Sequence, residues 1–112
     1  MRQSARLWVD GTEVAGLYVA DSYLSRTRGL LGTRGIDGAL LISPGNSVHG
    51  VGMVYTLDIA LLDSTFSVLH TLVLQPFGLT RPRRGVKHVL EAQRGAFAAW
   101  NLRIGSQLRQ ES

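Results

Sequence analysis

At 112 residues, with 45% hydrophobic and 18% charged side chains, the chain has room for one domain around one core and too much apolar material for disorder. Cysteine is absent, which excludes disulfides, thiolate metal sites and cysteine nucleophiles. The net charge of +4 admits anionic partners, while Asp10 and Glu13 interrupt the apolar run that a secretory leader needs.

In chain order, Ala5–Val9 and Glu13–Ala20 are strand-like runs joined by Asp10-Gly11-Thr12. Asp-Gly tolerates positive φ and predicts a hairpin, with Trp8 and Tyr18 as strand aromatics. Asp21-Ser22 then caps a predicted helix of two to three turns. Its buried stripe is Leu24, Thr27, Leu30 and Leu31, and Gly32 and Gly35 end it. Gly38–Ile42 is a short apolar strand stopped by Pro44-Gly45, and Asn46–Met53 reads as extended or irregular.

Leu57–Leu62 is the strongest core strand, ended by Asp63-Ser64. Phe66–Leu74 follows as its hairpin partner, and period-two alternation puts Phe66, Val68, His70, Leu72 and Leu74 on one face. Gln75–Val86 is a polar loop with Pro76 and Pro82. Lys87–Ala92 is a further strand, Gly95–Leu102 a short helix carrying Phe97 and Trp100, and Ser106–Arg109 a last strand after Gly105. The fold class is mainly β: an antiparallel β-sandwich or partly closed barrel with one or two short helices.

The uncharged stretch from Gly38 to Leu57 has the length of a membrane span. Its Ser43-Pro44-Gly45-Asn46-Ser47 turn and the glycines around His49 break any helix that satisfies its own backbone in lipid, so no span is expected.

Three segments in order carry a resemblance. The first is Ala20-Asp21 through Arg26-Thr27-Arg28-Gly29-Leu30-Leu31-Gly32. The second is Ser47-Val48-His49-Gly50-Val51-Gly52-Met53, followed by Leu57-Asp58-Ile59-Ala60-Leu61-Leu62-Asp63. The third is Val89-Leu90-Glu91-Ala92, then Gly95-Ala96 and Leu102-Arg103-Ile104-Gly105. Together they resemble the bacterial and archaeal family called domain of unknown function 192. Leu31 stands where the family often has methionine, Thr33 intervenes before Arg34, and Thr56 replaces a usual proline. The resemblance implies a mainly β, sandwich-like fold and no established reaction. Many members are exported, whereas no leader is read here, so a cytoplasmic location is expected.

Candidate site residues follow from polar groups in apolar places. Asp58 sits inside a core strand on the parity of Ala60 and Leu62, and a carboxylate there needs a partner, for which Arg28 is the nominated cation. It reads either as half of a structural pair or as a pocket acid with a tuned pKa. Glu91 in Val89-Leu90-Glu91-Ala92 poses the same question, and two carboxylates in one cavity would give acid–base capacity. His49, between glycines, is a base, a ligand or a loop tie.

His70 reads as a core or edge histidine, and His88, beside Lys87, as exposed. The basic run Arg81, Arg83, Arg84 and Lys87 is either a solvated loop or a weak, nonspecific polyanion contact. The histidines lack metal-ligand spacing, and no phosphate loop, dinucleotide fingerprint or nucleophile elbow occurs, so no metal and no cofactor are expected.

The leading expectation is a small binding or accessory domain for an unidentified small ligand or protein partner, with a polar pocket of Arg28, His49, Asp58 and Glu91. The alternative is a small acid–base enzyme of hydrolase or lyase type using Asp58 or Glu91 with His49.

Overall fold

Asp10 and Gly11 take φ of 49° and 87°, so the two central residues of the first turn are both left-handed. That geometry matches strand twist in a two-residue hairpin. Strands β1 (Ala5–Val9) and β2 (Thr12–Ala20) therefore pair antiparallel as the Asp-Gly signal predicts. The computed structural model describes residues 5–20, 38–43, 45, 56–75 and 83–111. The helix expected after Asp21 and the segment Asn46–Met53 lie outside them.

The remaining elements are β3 (Ala39–Ile42), β4 (Leu57–Leu62), β5 (Val68–Leu74), β6 (His88–Gln93), α1 (Ala96–Trp100) and β7 (Leu108–Glu111). The seven strands form one sheet in the order β5-β4-β6-β3-β2-β1-β7. All pairs are antiparallel except β2 with β3. The sheet curls until its two ends meet. Ser67 bridges Gln107, Val68 N–H donates to the Ser106 carbonyl at 2.9 Å, and Leu108 N–H donates to the Phe66 carbonyl at 3.0 Å. Of the two expected architectures this is the partly closed barrel, since one sheet wraps on itself rather than two packing face to face.

The central strands β3 and β4 are buried at every position, and β6 at all but its ends. This is why Leu57–Leu62 reads as a near-continuous apolar run: both of its faces are covered. One core holds Leu7, Leu17, Leu41, Ala60, Leu62, Leu90 and Ala92 together with Phe97 of α1. The other holds Leu40, Ile42, Leu57, Ile59, Leu61, Leu74, Val86 and Val89.

The alternation expected along Phe66–Leu74 is corrected by a β-bulge. Leu61 pairs with His70 but Leu62 pairs with Val68, so Leu69 is an extra residue. One inserted residue switches every following side chain to the other face. Phe66 and Val68 accordingly join the first core, while Leu72 and Leu74 join the second. Regular pairing starts at Val68, after Phe66 has taken a left-handed φ of 65°.

Candidate functional site

Asp58 is 4% exposed and shares its face with Ala92, its neighbour across β4–β6. Its carboxylate reaches the chain just beyond β6. Oδ2 accepts the Gly95 N–H at 2.9 Å and the Phe97 N–H at 3.2 Å, and Oδ1 accepts Arg94 Nη1 at 3.3 Å. These are free donors at the start of α1, which Gly95, having no side chain, cannot satisfy itself. Asp58 thus clamps a short helix onto the sheet from a distant strand. The cation found beside it is Arg94, whose side chain is 62% exposed. The nominated partner Arg28 lies outside the described residues.

Glu91 is fully buried and paired in register with Ile59 on one side and Leu40 on the other. Directly opposed residues share a face, so Glu91 belongs to the second core and Asp58 to the first. Glu91 is engaged by an interaction of its own. The sheet stands between the two carboxylates, which removes the arrangement in which they serve one cavity as acid and base. His49 lies outside the described residues.

The opposite end of β6 gathers a second polar group. His88 stacks on Phe66 with ring centroids 4.4 Å apart, and its Nδ1 is hydrogen-bonded to Ser43 Oγ at 2.8 Å. The ring is half-buried, not exposed as its neighbours in sequence imply. Burial lowers its pKa, and the nearby Asp63 carboxylate offsets part of that. Asp63 spends Oδ1 on the Thr65 N–H and hydroxyl, both at 2.8 Å, and on the Ser67 N–H at 3.0 Å. Serine, histidine and aspartate therefore tie strand ends together. His70 lies half-buried on the edge strand β5, as an edge histidine should.

Before His88, the chain turns at Arg83–Val86, with Gly85 at φ 84° and Val86 N–H donating to the Arg83 carbonyl at 3.2 Å. Val86 is 5% exposed and anchors the turn in the second core. Arg83, Arg84 and Lys87 are exposed and form no ion pair among the described residues. Arg81 lies outside them. Also among the described residues, no three His, Asp or Glu side chains come together as a metal would require, and no helix is long and apolar enough to cross a membrane.

Two open grooves beside α1 carry no motif in the sequence. Phe97 and Leu102 bury their side chains, and the αL residue Asn101 ends α1. Trp100, tilted 42° to Phe97 at 6.0 Å, packs only partly on the core. A solvent-open groove of about 520 Å³ is lined by Trp100 with Arg6, Gly16, Gly38, Gln93 and Ala96. A second, of about 380 Å³, is lined by Trp100 with Asp10, Thr12, Asn101 and Arg103. Both volumes fall within the range of small-ligand sites. Gly38 has to stay bare: at φ 127° a Cβ would meet the Gly16 carbonyl oxygen at 2.9 Å. The signal available in sequence was a tryptophan at the end of an alanine-rich helix, with a second polar turn behind it.

The sequence profile of a family described as DUF192, uncharacterized ACR, matches residues 5–110. A UPF0127 protein of Pyrococcus furiosus is 29% identical over 94 residues, covering 80% of this chain and 81% of its own. One from Pyrococcus horikoshii is 29% identical over 82 residues, covering 69% and 71%. The crystal structure of a protein of unknown function from Novosphingobium aromaticivorans superposes with a TM-score of 0.61 at 18% identity, covering 84% of this chain and 72% of that one. That likeness concerns the fold.

Proposed function

The chain belongs to the domain of unknown function 192 family, and we propose that this member is a small non-enzymatic binding domain whose ligand lies in the groove beside α1. One observation carries the reading: Trp100 lines both open grooves. An aromatic wall with a few polar groups around it is the usual make-up of a small-ligand site. The wall is fixed from below, because Asp58 holds the first turn of α1 and Phe97 anchors it. The carboxylate suspected of chemistry thus supports the site instead of entering it.

Screening a mixed fragment library by the indole N–H signals tests the reading. The protein has two tryptophans. Trp8 lies under the Arg109 guanidinium, 4.5 Å from its ring centroid, and serves as reference. Fragments that shift Trp100 and leave Trp8 unmoved support the groove; a library that moves neither sinks it. The proposal takes the domain to act in the cytoplasm. Cell fractionation checks that part.

A second reading adds a weak polyanion contact at the basic turn. It is favoured by the exposure of Arg83, Arg84 and Lys87, which form no ion pair among the described residues.

A further inference from the structure

We propose that the ligand of the Trp100 groove is a neutral oligosaccharide stacked on the indole, with sugar rings in both of the spaces that Trp100 lines. This rests on the groove being a binding site and adds the class of ligand.

Charge is the first argument. In the larger space Arg6 is the charged lining residue, and its Nε donates to the Glu13 carboxylate. In the smaller one Asp10 accepts the Gln107 N–H at 2.8 Å and feels the nearby positive charge of Arg103. Arg6 faces Glu13 and Asp10 feels Arg103, so positive and negative charges balance around the two spaces. The surplus cations Arg83, Arg84 and Lys87 lie beyond the other end of β6, a strand of about 17–20 Å. The groove selects for no net charge.

The remaining polar groups are Gln93, Thr12 and Asn101. Their amides and hydroxyl both donate and accept, which is what vicinal hydroxyl groups require, since each sugar hydroxyl does the same. The third argument is the ring. An indole face is the negative side of a quadrupole, and the C–H groups on one face of a pyranose present the positive edge it attracts. Gly16, Gly38 and Ala96 put little side-chain bulk around the larger space, which leaves room for a flat ring to approach the tryptophan.

The test titrates ¹⁵N-labelled full-length chain with cellotetraose, maltotetraose and tetra-N-acetylchitotetraose at millimolar concentration, and reads both indole N–H signals. At least one sugar should shift Trp100 and leave Trp8 still. Its tetrasaccharide should bind about tenfold tighter than the matching disaccharide, because the longer chain reaches both spaces. Trp100→Ala should weaken binding by about tenfold or more, and Gln93→Ala by less. Trp100→Phe, which keeps an aromatic on Phe97, guards against a variant that fails to fold, and it should bind between wild type and Trp100→Ala. If charged or aromatic fragments shift Trp100 and none of the three sugars does, the groove stands and the saccharide class is wrong. If neither sugars nor fragments move Trp100, both readings fall.

Discussion

Asp58 and Asp63 stand at the two ends of β4 and do the same work under opposite conditions. Each carboxylate accepts two backbone N–H groups: Asp58 those of Gly95 and Phe97, Asp63 those of Thr65 and Ser67. Asp63 closes its own turn in the open. Asp58 is buried and reaches across the sheet to a helix far along the chain. The contrast separates the chemistry of an interaction from its cost: the donors are alike, and burial decides how much stability goes with the acceptor.

The largest expected effect is therefore at Asp58. Asp58→Ala leaves two helix-start donors without an acceptor, at about 1–3 kcal/mol each, and should destabilise by about 3 kcal/mol in urea melts. Asp58→Asn keeps one oxygen acceptor and should cost about half as much. Arg94 is well exposed, so Arg94→Ala should cost no more than about 1 kcal/mol. A double-mutant cycle gives the decisive number. Coupling between Asp58 and Arg94 above about 2 kcal/mol would mean that the ion pair, and not the backbone clamp, is what holds the helix.

At the other end of β4 the effect should be read in acid. The Thr65 hydroxyl and then the Ser67 N–H hold the Asp63 carboxyl below its ordinary pKa. The Gln107 N–H and then the Ser106 side chain do the same for Asp10. A carboxylate with a depressed folded pKa contributes stability that is complete above its unfolded pKa and is lost as pH falls through the folded one. Thermal melts from about pH 5 down to about pH 2 should fall less steeply for Asp63→Asn than for wild type. Equal slopes would place the acid sensitivity elsewhere.

His88 is the next smaller test of the same end. Burial lowers its pKa, so below pH 6.5 the unfolded chain binds a proton more readily than the folded one. Stability should thus be complete above that pH and decline as pH falls from it through the folded pKa. His88→Phe keeps the stack on Phe66, removes the bond to Ser43, and should abolish the decline. Survival of the full decline in His88→Phe would assign it to another histidine.

The same contrast explains what could be read in advance. Asp63-Ser64 as a turn and Asp10-Gly11 as a hairpin are legible because their partners lie within a few residues. The apolar run of β4 gave away the core, and Asp58 stood out as the residue needing a partner. The identity of that partner was not legible: Gly95 and Phe97 N–H groups have no side-chain signature, and register alone brings them beside β4. Register also decides that Asp58 and Glu91 lie on opposite faces, because Ala92 and not Glu91 opposes Asp58. The bulge at Leu69 escaped for a related reason, since one uncoded extra residue overturns a period-two reading of the whole strand. Trp100 was legible as an aromatic on a short helix and not as the lining of a groove, because its partial exposure depends on where Asp58 pins the helix.

The smallest effect on stability, and the sharpest on binding, is expected at the basic turn. Its backbone is fixed: Lys87 N–H donates to the Leu62 carbonyl at 2.8 Å, the Lys87 carbonyl accepts the Gly45 N–H at 2.8 Å, and Val86 is buried. The side chains of Arg83, Arg84 and Lys87 take no part in this and stand in solvent. Arg83→Ala with Arg84→Ala should leave stability within about 0.5 kcal/mol of wild type. If both guanidiniums touch phosphate, the same variant should lower the salt slope of binding to single-stranded DNA by about 1.4, or about 0.7 for each phosphate no longer neutralised. Little sequence preference is expected, since no aromatic residue interleaves the cluster to stack on bases. Wild type that fails to bind single-stranded DNA at low salt would end the polyanion reading. The double variant should also leave the response of Trp100 to its ligands untouched, because the two sites lie at opposite ends of β6. A change there would mean that the two ends of the sheet act on each other, and the clamp at Asp58 would be the first place to look for the link.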